Sequence, residues 1–322
     1  MDKFFIKGGK PLSGEINISG SKNDALPLTV AAILSDEISV ISNVPDLADI
    51  RAMISLLEVL GVKWEFKNSE LSIDPSKCDG FEAPYDIVRK MRASIYVLGA
   101  LLGRMGKAKV SFPGGCVIGT RPIDLHLMGL EKLGAHISIE HGYIVANADK
   151  LIGTDIYLLG AHGPSVGATV NVMMAAVKAE GVTTIYEASC EPQIVELANF
   201  LNSMGANIKG AGTPVITIHG VKKLHGAKHI VIPDRIEAAT YMIAAAITRG
   251  NVLIRNIIPE HLGAVIEKLN QIGVDTEIDN YNVRVSTKGQ LKPVDIRTAL
   301  DPSTLMLAPI LFSSLTCINL SG

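Results

Sequence analysis

"LLEVLGVKWEF", residues 56–66, closes a Leu-rich helical pattern on Gly61 and passes at once into alternating residues. Glycine just past the last apolar position suits the left-handed residue that ends many helices. The alternation after it is that of a strand with one buried face. The signature returns three times: "GLEKLGAHISIE" (129–140) on Gly134, "FLNSMGANIKG" (200–210) on Gly205 and "KLNQIGVDTEI" (268–278) on Gly273. Upstream of each helical pattern stands a proline, Pro45, Pro122, Pro192 or Pro259, and the fixed φ of proline assigns it to the first helical position. The stretch is one copy of a repeat of about 55 residues, a length at which repeats govern the fold.

Working outward, each proline follows a branched or alternating strand: "ISVISNV" (38–44), "AKVSF" (108–112), "VTTIYEA" (182–188) and "NVLIRNI" (251–257). Before each strand lies a helix rich in small apolar residues: "SKNDALPLTVAAIL" (21–34), "MRASIYVLGALL" (91–102), "SVGATVNVMMAAV" (165–177) and "RIEAATYMIAAAI" (235–247). The unit reads helix, strand, helix, strand, strand. Because its first helix is apolar on most faces, the four copies are expected to line a shared core. Three complete units lie within residues 21–220 and a fourth opens near Asp234. The expected fold class is therefore α/β (α+β), built of repeated units. "FFIKGGKPLSGEINIS" (4–19) alternates as a strand without a helix of its own and is expected to pair elsewhere, and the last two dozen residues do not continue the repeat.

With 322 residues, 48% hydrophobic and 19% charged, the chain has material for roughly two domains. A formal net charge of −2 and a pI near 6.5 argue against nucleic acid or a membrane surface as partner. An anionic ligand must then be held by local cations. Cys78, Cys116, Cys190 and Cys317 are scattered without a CxxC pair, and no secretory leader is read, which points to reduced thiols in the cytoplasm. Apolar runs such as "LMLAPILF" (305–312) fall short of the ~20 residues that span a bilayer. There is no HExxH, Walker loop or GxGxxG, and the eight histidines show no ligand spacing, so no metal or organic cofactor is expected.

The four first helices open on Ser21-Lys22-Asn23, Met91-Arg92, Ser165-Val166-Gly167 and Asp234-Arg235. Free N–H groups and the dipole make a helix start attractive to anions, and Lys22, Arg92 and Arg235 add charge there. One such cation alone reads as a solvated side chain; recurrence at one repeat position points to a shared anion site. The link from central strand to second helix is "SNVPDL" (42–47) in the first unit and "FPGGCVIGTRPIDL" (112–125) in the second, eight residues longer. Such a loop on a regular scaffold is a candidate for function. Its Cys116 could serve as a general acid or a nucleophile, its ordinary pKa near ~8.5 lowered by Arg121; it could equally be a small residue in a glycine turn. No His or Asn adjoins it, which argues against a Cys-His hydrolase.

Six ordered motifs, "SGSKNDALPL" (19–28), "MRASIYVLG" (91–99), "PGGCVIGTRPIDLHL" (113–127), "SVGATVNVMMAA" (165–176), "EPQIVELANFL" (191–201) and "PDRIEAATYMIAAA" (233–246), closely resemble the UDP-N-acetylglucosamine 1-carboxyvinyltransferase family. The Cys loop separates that family from the related 5-enolpyruvylshikimate-3-phosphate synthases. The resemblance runs from residue 1 to about 298. It implies an inside-out α/β barrel of six repeats in two domains, with the active site between them. Here residues 21–230 would form the first domain, 1–20 with 231–298 an incomplete second one, and 299–322 a divergent tail.

The implied reaction moves the enolpyruvyl group of phosphoenolpyruvate to the 3-hydroxyl of UDP-N-acetylglucosamine, the first committed step of peptidoglycan synthesis, without metal or cofactor. The resemblance assigns Lys22, Asn23 and Arg121 to phosphoenolpyruvate, with Arg92, a residue for UDP-N-acetylglucosamine, completing the cationic cradle. It assigns Cys116 as proton donor to the enolpyruvyl methylene, able also to trap the reactive carbon as an adduct. Arg121, Pro122, Ile123, Asp124 and Leu125 resemble the uridine-binding strip, and Ser165, Val166 and Gly167 the segment that approaches the diphosphate. Glu191 and Arg235 match further polar positions. After "PVDIRT" (293–298) the family continues to Phe-Pro-Thr-Asp, whose Asp receives the hydroxyl proton, whereas this chain reads "ALDPSTLMLAPILFSSLTCINLSG". Asp301 comes too early to match. The abrupt change reads as a frame shift, which resequencing around the codon for Thr298 tests. Two readings follow: an active transferase, or a non-catalytic remnant that keeps UDP-sugar or phosphoenolpyruvate binding.

Overall fold

The four glycine stops fold as their positions demand, with φ of 91° at Gly61, 99° at Gly134, 99° at Gly205 and 98° at Gly273. At each, two backbone bonds close the helix end. Gly61 N–H donates to Glu58 and Val62 N–H to Leu57; Gly134 to Glu131 and Ala135 to Leu130; Gly205 to Asn202 and Ala206 to Leu201; Gly273 to Asn270 and Val274 to Leu269. This is one Schellman motif made four times. The structure, a computed structural model, describes residues 3, 5, 7–89, 91–113, 122–161 and 163–295.

The chain opens with β1 (Ser13–Asn17). The first repeat follows as α1 (Lys22–Ala31), β2 (Ser39–Ser42), α2 (Ala48–Val59), β3 (Lys63–Lys67) and β4 (Glu70–Asp74). The second is β5 (Glu82–Ala83), a short α3 (Tyr85–Val88), a 3-10 turn (Arg92–Tyr96) running into α4 (Val97–Met105), β6 (Lys107–Ser111), α5 (Asp124–Lys132), β7 (His136–Glu140) and β8 (Tyr143–Asn147). The third is β9 (Asp155–Tyr157), a small hairpin of β10 (Leu159–Gly160) and β11 (Gly163–Pro164), α6 (Val166–Ala176), β12 (Val182–Tyr186), α7 (Pro192–Ser203), β13 (Asn207–Lys209) and β14 (Val215–His219). After β15 (Lys228–Ile230) comes the fourth: α8 (Arg235–Ile247), β16 (Asn251–Arg255), α9 (Gly263–Ile272), β17 (Asp275–Asp279) and β18 (Asn282–Ser286).

Two of the four prolines do not open a helix. Pro192 is the first residue of α7 and Pro259 begins a 3-10 turn before α9, but α2 starts three residues after Pro45 and α5 two after Pro122. Proline satisfies the fixed φ of an approach loop as well as that of a first helical turn.

Every four-stranded sheet has the same order: a leading strand, the central strand, then the last and the middle strands of the repeat. The orders are β15-β2-β4-β3, β5-β6-β8-β7, β9-β12-β14-β13 and β1-β16-β18-β17. The leading strand pairs parallel and the rest antiparallel. Two leading strands are exchanged. β1 precedes α1 yet joins the sheet of the fourth repeat, in register Ser13 to Asn251, while β15 precedes α8 yet joins the first, Lys228 to Val40.

Accordingly the chain divides into two units, Gly20–Ile232 and Met1–Ser19 with Pro233–Gly322. In the first unit α4 is buried from Val97 to Gly103, α6 from Ala168 to Ala176, and α1 from Asp24 onward. The strands alternate and keep one face wet, for example β4 and β12. Helices lie inside and sheets outside. The fourth first helix does not share that core: α8 packs with β16, β18 and α9 in a separate apolar cluster, and Tyr241 and Ile247 stay exposed. Exchanging the leading strands places the fourth repeat in the other unit.

Candidate active site

Lys22 is the first residue of α1, half-exposed, and its Nζ donates to Asp49 Oδ2 at 2.7 Å. Asp49 lies in the first turn of α2, where an acid suits the dipole; nothing in the spacing of residues 22 and 49 announces the pair. Both side chains are 37% exposed, so the pair adds at most about 1 kcal/mol and serves to aim the ammonium. Asn23 follows on α1, half-buried. Ser21, the residue before Lys22, makes no side-chain cap.

Arg92 opens the 3-10 turn before α4, and the turn is pinned by buried Ser94, whose Oγ donates to Met91 O at 2.6 Å and Val88 O at 3.1 Å. Ser165 caps α6 by accepting from Ala168 N–H at 3.3 Å, with Val166 and Gly167 in the first turn. Thr169 Oγ1 donates back to Ser165 O at 2.9 Å and accepts from Ser189 N–H at 3.2 Å. That bond ties the loop before α7 to α6. In this loop Glu191 is the N-cap residue of α7 and accepts from Gln193 Nε2 at 2.6 Å.

Pro122 and Ile123 lead into α5, Asp124 is its first residue and Leu125 the next. The following residue, His126, is 3% exposed. It meets Asn171 of α6, whose amide is fully buried: Asn171 Oδ1 accepts from Gly99 N–H at 2.7 Å, and Nδ2 donates to Ile95 O at 3.1 Å and to His126 Nδ1 at 2.8 Å. Gly99 N–H can only donate, so the amide orientation is fixed. His126 Nδ1 must then accept, and the ring proton sits on Nε2. Burial first, and then the Arg92 guanidinium, push the His126 pKa down from 6.5 to about 4, while the Asp124 carboxylate opposes them. Arg92 and Asp124 thus act on His126 with opposite sign. Neither His126, Asn171 nor Asp49 stood out in the sequence, where each looks like an ordinary helical residue.

The 3-10 turn of Arg92, the 122–126 segment, the start of α6 and the loop of Glu191 thus all hang on the buried helices of one unit. Arg235 belongs to the other unit. It begins α8, and its helix start is already capped, since Asp234 Oδ1 accepts from Ile236 N–H at 2.8 Å and Glu237 N–H at 3.1 Å. There the Asp234 carboxylate occupies two of the donors that an anion would use. Cys116 and Arg121 lie outside the described residues, as do 299–322. Cys78 is buried and its thiol pKa is raised by that burial, whereas Cys190 is exposed. Among the described residues no three His, Cys, Asp or Glu are grouped to hold a metal ion, and no helix is long and apolar enough to cross a membrane.

The buried imidazole makes stability depend on pH. Its folded pKa lies below the unfolded value, so the unfolded chain takes a proton that the folded one refuses. The contribution is complete above 6.5 and lost as pH falls toward about 4, a change of about 3 kcal/mol. Urea unfolding at pH 7 and pH 4.5 should show a steeper acid loss in the unmodified chain than in His126→Asn. Parallel losses in the two proteins would refute the assignment.

Residues 6–319 match the family model described as EPSP synthase (3-phosphoshikimate 1-carboxyvinyltransferase), so the similarity extends past residue 298, where the resemblance is read to end. Among solved structures, the enolpyruvyl transferase NikO from Streptomyces tendae superposes with a TM-score of 0.82 at 22% identity, over 94% of this chain and 73% of that one. EPSP synthase from Acinetobacter baumannii does so with a TM-score of 0.71 at 23% identity, over 98% and 74%. These likenesses establish the enolpyruvyl-transferase fold. The UDP-N-acetylglucosamine 1-carboxyvinyltransferase of Methylacidiphilum infernorum is 52% identical over 302 residues, 94% of this chain and 72% of the relative. UDP-N-acetylglucosamine 1-carboxyvinyltransferase 1 of Staphylococcus aureus is 49% identical over 306 residues, 94% and 72%. The chain belongs to the EPSP synthase family and, within it, to the UDP-N-acetylglucosamine 1-carboxyvinyltransferases. By family it is a transferase of carboxyvinyl groups.

Proposed function

We propose that this chain moves the carboxyvinyl group of phosphoenolpyruvate onto the 3-hydroxyl of UDP-N-acetylglucosamine, the first committed step of peptidoglycan synthesis and so of cell-wall formation. The observation that carries this reading is 52% identity over 94% of the chain to a relative of that name, with the motif residues at helix starts of one unit. In this reading Lys22, Asn23 and Arg121 hold the phosphate and carboxylate of phosphoenolpyruvate, and Arg92 completes the cationic cradle on the side of the UDP-sugar. Pro122 to Leu125 hold the uridine, and Ser165 to Gly167 offer backbone N–H groups to the diphosphate. Glu191 and Arg235 are further polar contacts. Both substrates are cytoplasmic metabolites, which places the enzyme in the cytoplasm.

Chemically, Cys116 gives its proton to the methylene carbon of phosphoenolpyruvate while the sugar 3-oxygen bonds to the adjacent carbon and releases its hydroxyl proton to solvent. A tetrahedral phosphorylated intermediate results. Return of a methyl proton to the Cys116 thiolate, with departure of inorganic phosphate, then restores the double bond on the sugar. A thiol suits the first step because it donates a proton to the methylene carbon and, as thiolate, can bond the adjacent electrophilic carbon to leave a pyruvate-derived adduct.

The test is phosphate release by the full chain from phosphoenolpyruvate and UDP-N-acetylglucosamine, paired with calorimetric titration of the UDP-sugar. Release that needs both substrates and disappears in Cys116→Ser is the expected result. Binding of the UDP-sugar without release would favour the binding-only reading. Neither binding nor release would overturn the assignment for this chain.

A further inference from the structure

The substrate segments leave one buried polar cluster without a role. Asn171 is fully buried, His126 nearly so, and their bond joins α6 to α5. Packing alone does not need it. Gly129 already brings α5 against α6, where a Cβ would overlap Val172 Cγ2, and Gly99 brings α4 so close to α6 that a Cβ there would overlap the Asn171 carbonyl oxygen. An apolar pair of the same shape would fill the interior at lower desolvation cost than an amide and an imidazole. What a hydrogen bond adds is direction.

That direction is used at Gly167. With Nδ1 held by Asn171, the opposite edge of the imidazole lies against the α6 backbone, where a Cβ on Gly167 would stand 2.8 Å from His126 Cε1 and 2.9 Å from Nε2. Only glycine allows the approach. His126 directly follows Leu125, the last residue of the 122–125 strip, and Gly167 ends the 165–167 segment. The same Asn171 amide also holds Ile95, in the turn that carries Arg92. Directly at Ile95, and through His126 at the 122–125 and 165–167 segments, one side chain thus reaches the three pieces of backbone that the proposed function assigns to the sugar nucleotide.

We propose that the Asn171–His126 hydrogen bond is a positioning device, setting the spacing between the 122–125 and 165–167 segments that grips the UDP group of the sugar nucleotide. His126 and Asn171 are positioning residues: they act through the two segments and touch no reacting atom. The inference rests on the function proposed above.

Three variants of the full chain separate this role from simple packing. His126→Phe keeps the ring and removes the acceptor, Asn171→Leu removes the amide at similar volume, and His126→Asn retains an acceptor where Nδ1 stood. Calorimetric titration with UDP-N-acetylglucosamine, below the melting onset of each protein, should show at least tenfold weaker binding in the first two. His126→Asn should stay within about threefold of the unmodified chain, a rescue that cavity or packing effects would not give. In the unmodified chain, the His126 ring resonances, assigned by their loss in His126→Asn, should move on addition of UDP alone. Should the first two variants not fold, this shift decides, and its absence overturns the proposal. Equal affinities across the set, or equal loss in His126→Phe and His126→Asn, also overturn it while leaving the function intact. If the unmodified chain fails to bind the UDP-sugar, the function itself falls.

Discussion

Arg104→Ala is expected to lower the stability of the Gly20–Ile232 unit by about 3–5 kcal/mol, the range seen when one partner of a buried charged network is removed. The side chain is 12% exposed, and all five guanidinium donors have acceptors. Nε donates to Cys78 O at 3.1 Å, Nη1 to Ile33 O and Ser35 O at 2.7 Å each, and Nη2 to Asp36 Oδ1 at 2.7 Å and Pro75 O at 3.0 Å. The four carbonyls come from the segment after α1 and the loop after β4, and Arg104 itself lies in the last turn of α4. One residue therefore joins the first and second repeats. Truncation removes the side-chain donor of all four; Pro75 O keeps the Cys78 N–H at 2.9 Å, and the Ile33, Ser35 and Cys78 carbonyls lose the donor that Arg104 supplies.

The Asp36 ion pair is not the source of the effect. Asp36 is 73% exposed, so Asp36→Ala should cost under about 1 kcal/mol. Arg104→Lys should recover less than half of the loss, because an ammonium cannot reproduce the planar fork. Urea unfolding of the three variants at low and high salt checks this. An Asp36→Ala loss as large as that of Arg104→Ala, or a difference that vanishes in salt, would sink the account. Arg104 also borders a surface cleft of about 360 Å³ beside Lys107 and Lys178. With all five donors engaged it is a tie in the fold, with none left for an anion in that cleft.

Gly20→Ala is the second large effect, about 3 kcal/mol at the upper end of overpacking costs. A Cβ at Gly20 would overlap the Asn43 carbonyl oxygen, with the Asn43 carbonyl carbon at 3.0 Å and Nδ2 at 3.1 Å. Asn43 cannot retreat easily. It sits at φ 59°, and its Nδ2 donates to Val231 O at 2.8 Å, bracing β15 against the end of β2. Gly20 also adjoins Ser21 and Lys22, so the same strain reaches the start of α1. Gly263→Ala is the matched control: nothing lies within 4 Å of its Cβ, and at the start of α9 alanine should gain roughly 0.5–1 kcal/mol. Melting temperatures of both variants decide the matter. A Gly20→Ala protein that melts within a degree or two of the unmodified chain would show that Asn43 yields.

How much of this was legible beforehand depends on the range over which each feature is determined. Gly61, Gly134, Gly205 and Gly273 could be read as helix stops because a left-handed residue after an apolar periodicity is a local requirement. The buried nature of α1, α4 and α6 was legible from their unbroken apolar surfaces, and the likeness of the repeats from their order. Pro45 and Pro122 misled because the same fixed φ serves a loop. The candidate site was half legible. Lys22, Arg92 and Ser165 mark helix starts and could be found by position in the repeat, whereas Asp49 and Asn171 are helical residues whose importance comes from a partner 27 and 45 positions away.

The sequence by itself determined the elements, their order, the family and the residues at the helix starts, since these rest on periodicity, capping and motif spacing within a few turns of chain. Only the tertiary structure decided which strand completes which sheet. β1 and β15 have the same local character as the other leading strands, and their exchange follows from which central strand offers an open parallel edge. The same holds for the Arg104 tie and the Asn171–His126 bond. A donor buried by folding must find an acceptor in three dimensions, and no sequence interval states where that acceptor will be.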